Sequence, residues 1–219
     1  MVGGHEPRGE AMNEQRSPEW FAKRAGCFTA SRMADLMART KTGPSASRKN
    51  MITLLAVERL TGQCVETYTN GAMQRGVELE QEALDAYAFE CGVAVEAVDY
   101  VDHPSLSRVG CSPDGLIGSD GLVEVKCPSA MGVHLEALQY GAHADQYKYQ
   151  LHHQLMVTGR QWVDCVSYDP RFPAGLQLAI KRVFRDQKMI EELTAAIITA
   201  DAEIEALVTS LKALGRIAL

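Results

Sequence analysis

Ser112-Pro113-Asp114-Gly115 and, a few residues on, Leu122-Val123-Glu124-Val125-Lys126-Cys127-Pro128 are the two stretches on which the reading turns. On a β-strand successive side chains point to opposite faces, so Glu124 and Lys126 share one face while Val123 and Val125 turn into a core. Between the stretches, Gly115 to Gly121 carries Gly118, Ser119, Asp120 and Gly121, residues suited to a hairpin turn. A hairpin there returns the chain and sets Asp114 beside Glu124, so that two carboxylates and a lysine converge. Close carboxylates repel, and a hard divalent cation relieves the repulsion through oxygen ligands, which favours Mg²⁺ or Mn²⁺. The backbone carbonyl of Val125 is a further oxygen ligand on the same strand. Such a cation polarises a phosphodiester and lowers the pKa of a bound water, while Lys126 is placed to position that water and stabilise developing charge. Each piece also has a plain structural use. Pro-Asp-Gly is common turn chemistry, and Glu-x-Lys on a strand can be an exposed cross-strand pair. Their order, their spacing and the apolar residues between them favour metal-dependent phosphodiester hydrolysis.

Outward from this centre, Val77, Leu79, Leu84, Tyr87, Ala88 and Cys91 predict a long helix over Gly71 to Glu90, closed by Gly92. Glu80 borders its apolar stripe, with Glu78 and Glu82 as neighbouring alternatives. Trp20 to Arg24 reads as a helical turn, a second helix runs from Thr29 or Ser31 to Ala38, and a third spans Met51 to Leu60. Arg39 to Asn50, with Arg39, Lys41, Arg48 and Lys49 and with Arg32 just upstream, reads as a mobile basic loop. Strands are predicted over Val93–Val101, Arg108–Cys111, Gly121–Cys127, Trp162–Tyr168 and Leu176–Phe184. Helices are predicted over Ala130–Gln139 and Asp145–Val157. Asp186 to Leu214 is a long amphipathic helix expected to pack back on the domain rather than form a coiled coil. The order gives an α/β fold with one central mixed β-sheet flanked by helices. Residues 1–17 read as a flexible tail, and 18–219 as a single domain with a long C-terminal helix.

The composition excludes several classes. With 46% apolar and 23% charged residues and no long apolar run, the chain is not expected to cross a membrane, and its start has no apolar core of an export signal. Its six cysteines include no CxxC pair, which argues against a zinc ribbon or a redox dithiol and for reduced, mostly buried thiols. His143, His152 and His153 lack a fourth ligand at a zinc spacing. The net charge of −6 is unusual for a protein that binds phosphates, but net charge describes long-range steering rather than the field inside a cleft.

The pieces RGVELE (from Arg75), CSPDGL (from Cys111) and VEVKCP (from Val123) resemble the lambda-type phage alkaline exonucleases, the YqaJ-like viral recombinase family of the PD-(D/E)xK nuclease superfamily. The resemblance takes in Trp20 to Gly26, Thr29-Ala30-Ser31, Gln150, Val157-Thr158 and Tyr168-Asp169-Pro170, and covers roughly residues 18 to 190. It implies a restriction-endonuclease-like core with Asp114, Glu124 and Lys126 catalytic, Glu80 reaching the metal site, and Gln150 holding the lysine and glutamate. It implies that Arg24, Ser31 and Ser112 bind the terminal 5′-phosphate of a duplex; Lys41 is a candidate contact to the DNA backbone. The implied activity is Mg²⁺-dependent, processive 5′-to-3′ digestion of double-stranded DNA in phage-type recombination. The implied partners are a single-strand annealing protein and two further copies in a ring-shaped trimer, in the cytoplasm of a bacterial host. A repair nuclease of different polarity and a catalytically silent DNA-end-binding scaffold are the competing readings. A Cas4-like iron–sulfur nuclease fits the scattered cysteines poorly. Two departures stand out: where the family often carries a second glutamine two places after the first, this chain has His152, and Asp102 is an uncertain match to a family acid.

Overall fold

The computed structural model describes residues 17–41, 43–65 and 71–217. The expected tail therefore lies outside the described residues except for Ser17, whose hydroxyl caps the first helix. In chain order the elements are α1 (Pro18–Arg24), β1 (Phe28–Thr29), a 3-10 turn (Ala30–Arg32), α2 (Met33–Met37), β2 (Arg39–Thr40), β3 (Gly43–Pro44), α3 (Ala46–Thr61) and α4 (Gly71–Cys91). There follow β4 (Val101–Asp102), β5 (Val109–Cys111), β6 (Gly115–Ile117), β7 (Gly121–Lys126), α5 (Met131–Tyr140), α6 (Lys148–Thr158), β8 (Trp162–Tyr168), β9 (Leu178–Phe184) and α7 (Gln187–Ile217).

The central sheet has the order β6-β7-β8-β9 and is mixed: β7 runs parallel to β8 and antiparallel to β6, and β9 is antiparallel to β8. The expected central mixed sheet is thus present, and beside it lie a small sheet, β1-β5-β4, and the β2-β3 hairpin. Alternation along β7 splits its side chains as the sequence predicts. Val123 and Val125 pack with Leu84 and Tyr87 of α4 on one face. Leu122 packs with Leu151 and Leu155 of α6 on the other, and Glu124 and Lys126 follow it on that side. A separate core joins α2, α3, α6 and α7 to the small sheet, with Phe28, Met33, Leu55 and Leu193 at its heart. The long last helix packs back on the domain through Ile190, Leu193, Ile197, Ile204 and Val208.

Several local expectations are corrected. Val93 to Val101 does not form a strand; among the described residues its backbone pairs with the central sheet only through a Glu96–Leu116 bridge, and the strand begins at Val101. Its valines pack instead of pairing: a Cβ on Gly115 would meet Val95 Cγ1 at 2.3 Å. The basic loop is shorter than predicted, because Ser45 caps α3 through the Arg48 N–H and brings Arg48 and Lys49 into that helix. Arg48 pairs with Glu203 of α7. Arg32 is not a loop cation at all. Its guanidinium forks onto the fully buried Glu58 at 2.9 and 2.7 Å and also donates to the Cys27 carbonyl.

Glu58 is the knot of this half of the molecule. Besides Arg32 it accepts from the backbone N–H groups of Gly26 (2.7 Å) and Val65 (3.1 Å). Arg59, the next residue, donates to the Gly26 carbonyl at 3.0 Å and pairs with Asp201 and Glu205 of α7. Gly26 has φ +71°, and a Cβ there would stand 2.6 Å from Arg59 Cγ, so both the turn and the close approach require glycine. Burial works against the Glu58 charge, but the bonds from Arg32, Gly26 and Val65 outweigh it and hold its pKa below the ordinary glutamate value. A depressed carboxylate pKa stabilises the fold above the unfolded value and ceases to as pH falls through the folded one. Glu58→Ala, which strands Arg32 without a counter-ion, should cost about 3–5 kcal/mol in urea unfolding at pH 7. The difference from the parent should shrink as pH drops below the ordinary glutamate range. A loss that is small at pH 7, or that does not change with acid, would contradict this role.

Candidate active site

The hairpin of β6 and β7 turns through Gly118, which adopts φ +50°, and pairs Gly115 with Val123. Asp114 therefore falls opposite Glu124, and its Oδ2 accepts the Val125 N–H at 2.7 Å. The N–H and C=O of one strand residue leave along the same edge, so the Val125 carbonyl is turned to the side of Asp114. Glu124 is 4% exposed, and both its oxygens are engaged. Lys126 Nζ donates to Oε1 at 2.6 Å, the Gln150 amide donates to the same oxygen, and Gln154 Nε2 donates to Oε2 at 2.6 Å. Gln150 also accepts from Lys126 at 3.3 Å, and the Tyr147 ring lies 4.7 Å from the ammonium. These groups face a cleft of about 490 Å³ whose walls include Ser31, Gly76, Glu80, Asp114, Glu124, Val125, Lys126 and Pro128.

The three glutamates near the start of α4 separate cleanly. Glu80 lines the cleft, exposed Glu78 bonds to Gln74, and Glu82 accepts from the Tyr168 hydroxyl. Gln154 is the residue that sequence reasoning missed. It stands one turn beyond Gln150 on the same face of α6, and that i, i+4 spacing is the signal that could have found it. The Leu151–Val157 stretch of α6 is buried throughout, so the two glutamines stand on a helix enclosed by the core. His152 does not take the second glutamine's place: its Nδ1 meets the Lys148 carbonyl. His143 meets the Val133 carbonyl, and Asp102 is exposed on β4.

Burial raises the pKa of Asp114 well above the ordinary value, the charges of Glu124 and Glu80 add to the rise, and Lys126 opposes it. Burial disfavours the Lys126 ammonium, but Glu124, Asp114 and the hydrogen bond to Glu124 outweigh it and hold the pKa above the ordinary lysine value. The lysine is thus charged and the acids outnumber it. Among the described residues no three His, Cys, Asp or Glu side chains stand close enough to hold an ion by themselves. What the cleft does offer is carboxylate oxygens of Asp114 and Glu124, with Glu80 nearby and the Val125 carbonyl. That set fits a hard dication that keeps waters and substrate oxygens as its other ligands.

A second cluster lies beside the cleft. Trp20 Nε1 donates to Ser112 Oγ at 3.0 Å, the Arg24 guanidinium stacks 4.0 Å from the Trp20 ring, and Arg24 Nη2 donates to Thr29 Oγ1 at 3.5 Å. Arg24 has no carboxylate partner among the described residues, and burial followed by the charge of Arg32 lowers its pKa. Ser31 is exposed at the cleft wall, within a three-residue 3-10 turn before the five-residue α2, so it heads no long helix. Lys41 is exposed at the tip of the β2–β3 hairpin.

An acid whose folded pKa is raised destabilises the fold once pH passes its unfolded value, and more so as pH rises. Asp114→Asn keeps an acceptor for the Val125 N–H and removes the repelling charge. In chelator at pH 8 it should raise the thermal midpoint by about 2–4 °C, as expected for roughly 1 kcal/mol in a chain of this size. Adding Mg²⁺ should stabilise the parent and leave the variant unmoved. A variant that melts below the parent in chelator would contradict the charge imbalance.

The profile of the YqaJ-like viral recombinase domain matches residues 19–161. None of the curated proteins compared with the chain matches it. Among solved structures, an alkaline exonuclease (LHK-Exo) from Laribacter hongkongensis is 42% identical; the match covers 92% of this chain and 99% of that one, with a TM-score of 0.83. LHK-Exo in complex with dAMP matches with the same identity and coverage and a TM-score of 0.84. A phage-related exonuclease from Haemophilus somnus 129PT, at 15% identity, a TM-score of 0.69 and coverage of 84% and 96%, shares the fold. The cleft around Asp114, Glu124 and Lys126 thus sits in a chain that belongs to the YqaJ-like viral recombinase family.

Proposed function

We propose that this protein is a Mg²⁺-dependent exonuclease that digests one strand of duplex DNA from 5′ to 3′ and releases 5′-mononucleotides. Membership of the family and the likeness to an alkaline exonuclease make it a nuclease. The observation that carries the finer reading is the convergence of Asp114, Glu124, Glu80 and a charged Lys126 on one cleft. Asp114, Glu124 and the Val125 carbonyl would hold the ions, with Glu80 acting through water. A bound dication, or a pair, supplies Lewis acidity toward the scissile phosphate and a water of lowered pKa, and Mn²⁺ should serve in its place. Gln150 and Gln154 fix the Glu124 carboxylate from two sides. Lys126 presents its ammonium where the attacking water and the developing charge would lie.

Polarity is supported by Arg24. It is an arginine without a carboxylate partner among the described residues, held by Trp20 and Thr29 beside Ser112, and it offers a planar fork to a 5′-terminal phosphate, with Ser31 on the adjoining wall. Lys41, on its exposed hairpin, would meet the backbone of the duplex. A ring-shaped homotrimer would enclose the DNA and give processivity without a tight contact to any base. We assign it a role in recombination alongside a single-strand annealing protein, in the cytoplasm of a bacterial host. Among the described residues no helix is long and apolar enough to cross a membrane.

On duplexes labelled at one 5′ end, the parent should release labelled mononucleotide with Mg²⁺ or Mn²⁺, and poorly with Ca²⁺. Lys126→Ala should bind the ends yet cut at least a hundredfold more slowly, the scale of losing one preorganised charge partner. Full activity in excess chelator, or a fully active variant, would sink the mechanism, and release of label from the 3′ end first would reverse the polarity. Arg24→Ala should lose about ten- to hundredfold on 5′-phosphorylated ends, the scale of one charge-assisted hydrogen bond, and far less on 5′-hydroxyl ends. Equal first-turnover losses on the two ends would make Arg24 a general backbone contact.

A further inference from the structure

The rim of the cleft carries a charged group that the hydrolytic centre does not use. Asp169, fully buried just after β8, accepts from Arg171 through its backbone N–H (3.1 Å), Nε (2.8 Å) and Nη2 (2.6 Å), and from Arg75 Nη2 at 3.2 Å. The same guanidinium groups reach the segment that follows Lys126. Arg75 Nε donates to the Pro128 carbonyl at 3.3 Å, and Arg171 Nη2 donates to Pro128 and Ser129 at 3.3 and 3.0 Å. Arg75 directly precedes Gly76, and Gly76 and Pro128 both line the cleft.

One carboxylate thus anchors two arginines, which leaves a unit of positive charge at the mouth of a cleft whose interior is acidic. A pin for the Pro128–Ser129 segment needs only one arginine, so the second cation is surplus to structure. Glu82, on the same helix as Arg75, is taken by the Tyr168 hydroxyl. The Arg75 and Arg171 side chains remain 25% and 38% exposed, and neither Nη1 has a partner among the described residues. Both forks are therefore held in place with donors still open to solvent, and little ordering is left for a ligand to impose.

We propose that Arg75 and Arg171, seated on Asp169, form a clamp for backbone phosphates of the DNA strand at the rim of the cleft. The ligand class is a phosphodiester rather than a base, because the group presents only forked N–H donors and positive charge. The proposal rests on the nuclease reading above, and its test is independent of cutting. In chelator, where no strand is cleaved, binding of a fluorescent blunt duplex is followed by anisotropy across a salt series for the parent, Arg171→Ala, Arg171→Lys and Lys126→Ala. Each phosphate contact contributes about 0.9 to the slope of log affinity against log salt. Arg171→Ala should lower that slope by about one, and Arg171→Lys, which keeps the charge, should restore most of it. An Arg171→Ala slope equal to the parent's would overturn the clamp. On the unaltered protein, phenylglyoxal modification of Arg171, read by peptide mass spectrometry, should be suppressed by saturating duplex; unchanged modification would overturn the proposal as well. If the nuclease reading alone were wrong, Lys126→Ala would cut like the parent while the Arg171 slope still fell.

Discussion

Glu124 is a carboxylate placed on the middle strand pair of the molecule with almost no water. Such a charge is tolerated only when its lone pairs are matched, and breaking a buried charge pair costs several kcal/mol. Here Lys126 and Gln150 meet one oxygen and Gln154 the other. To supply those amides α6 must pack on the face of the sheet that carries Glu124, where it is buried along most of its length between two apolar clusters. To supply the lysine the strand must alternate without a bulge, and its parallel pairing with β8 and antiparallel pairing with β6 keep it in register. The architecture around the central sheet follows from seating this one acid.

The neighbouring Asp114 is not matched in the same way. Asp114 has the Val125 N–H and the remote charge of Lys126, against the repulsion of Glu124 and Glu80. This is strain of an electrostatic kind, at the place where the proposed cation would bind. The Glu58 knot shows the opposite treatment: an equally buried acid given four donors, so that its charge stabilises the chain. Glu58 and Glu124 are both fully bonded, but Glu58 is sealed among its four donors while Glu124 also lines the cleft beside the under-matched Asp114.

Period-two alternation at Gly121–Cys127, the turn residues before it and the 3.6-residue stripe of α4 were legible because local patterning governs them. The convergence of Asp114, Glu124 and Lys126 follows from those alone. Glu80 could not be told from Glu78 and Glu82 by pattern, since all three lie near the border of one stripe; only the side on which β7 and Tyr168 pack distinguishes them. Gln154 was hidden because a glutamine on a helix reads as solvated until a second core covers it. Arg32 looked like one more loop cation because its partner lies 26 residues away in sequence. Val93–Val101 carries strand-forming residues, but they fill the space over Gly115 instead of adding to the sheet.

The last helix has a consequence for the order in which the molecule comes into being. The turn at Gly26, which holds Arg24 and Thr29 in place, is braced by Arg59, and Arg59 is in turn gripped by Asp201 and Glu205 of α7. The apolar face of that helix also closes the core around Phe28 and Leu55. The residues proposed to grasp a DNA end thus depend on a brace that lies about 175 residues later in the chain, from Arg24 to Asp201 and Glu205. The proposed end-gripping pocket takes its shape only once α7 has docked on Arg59.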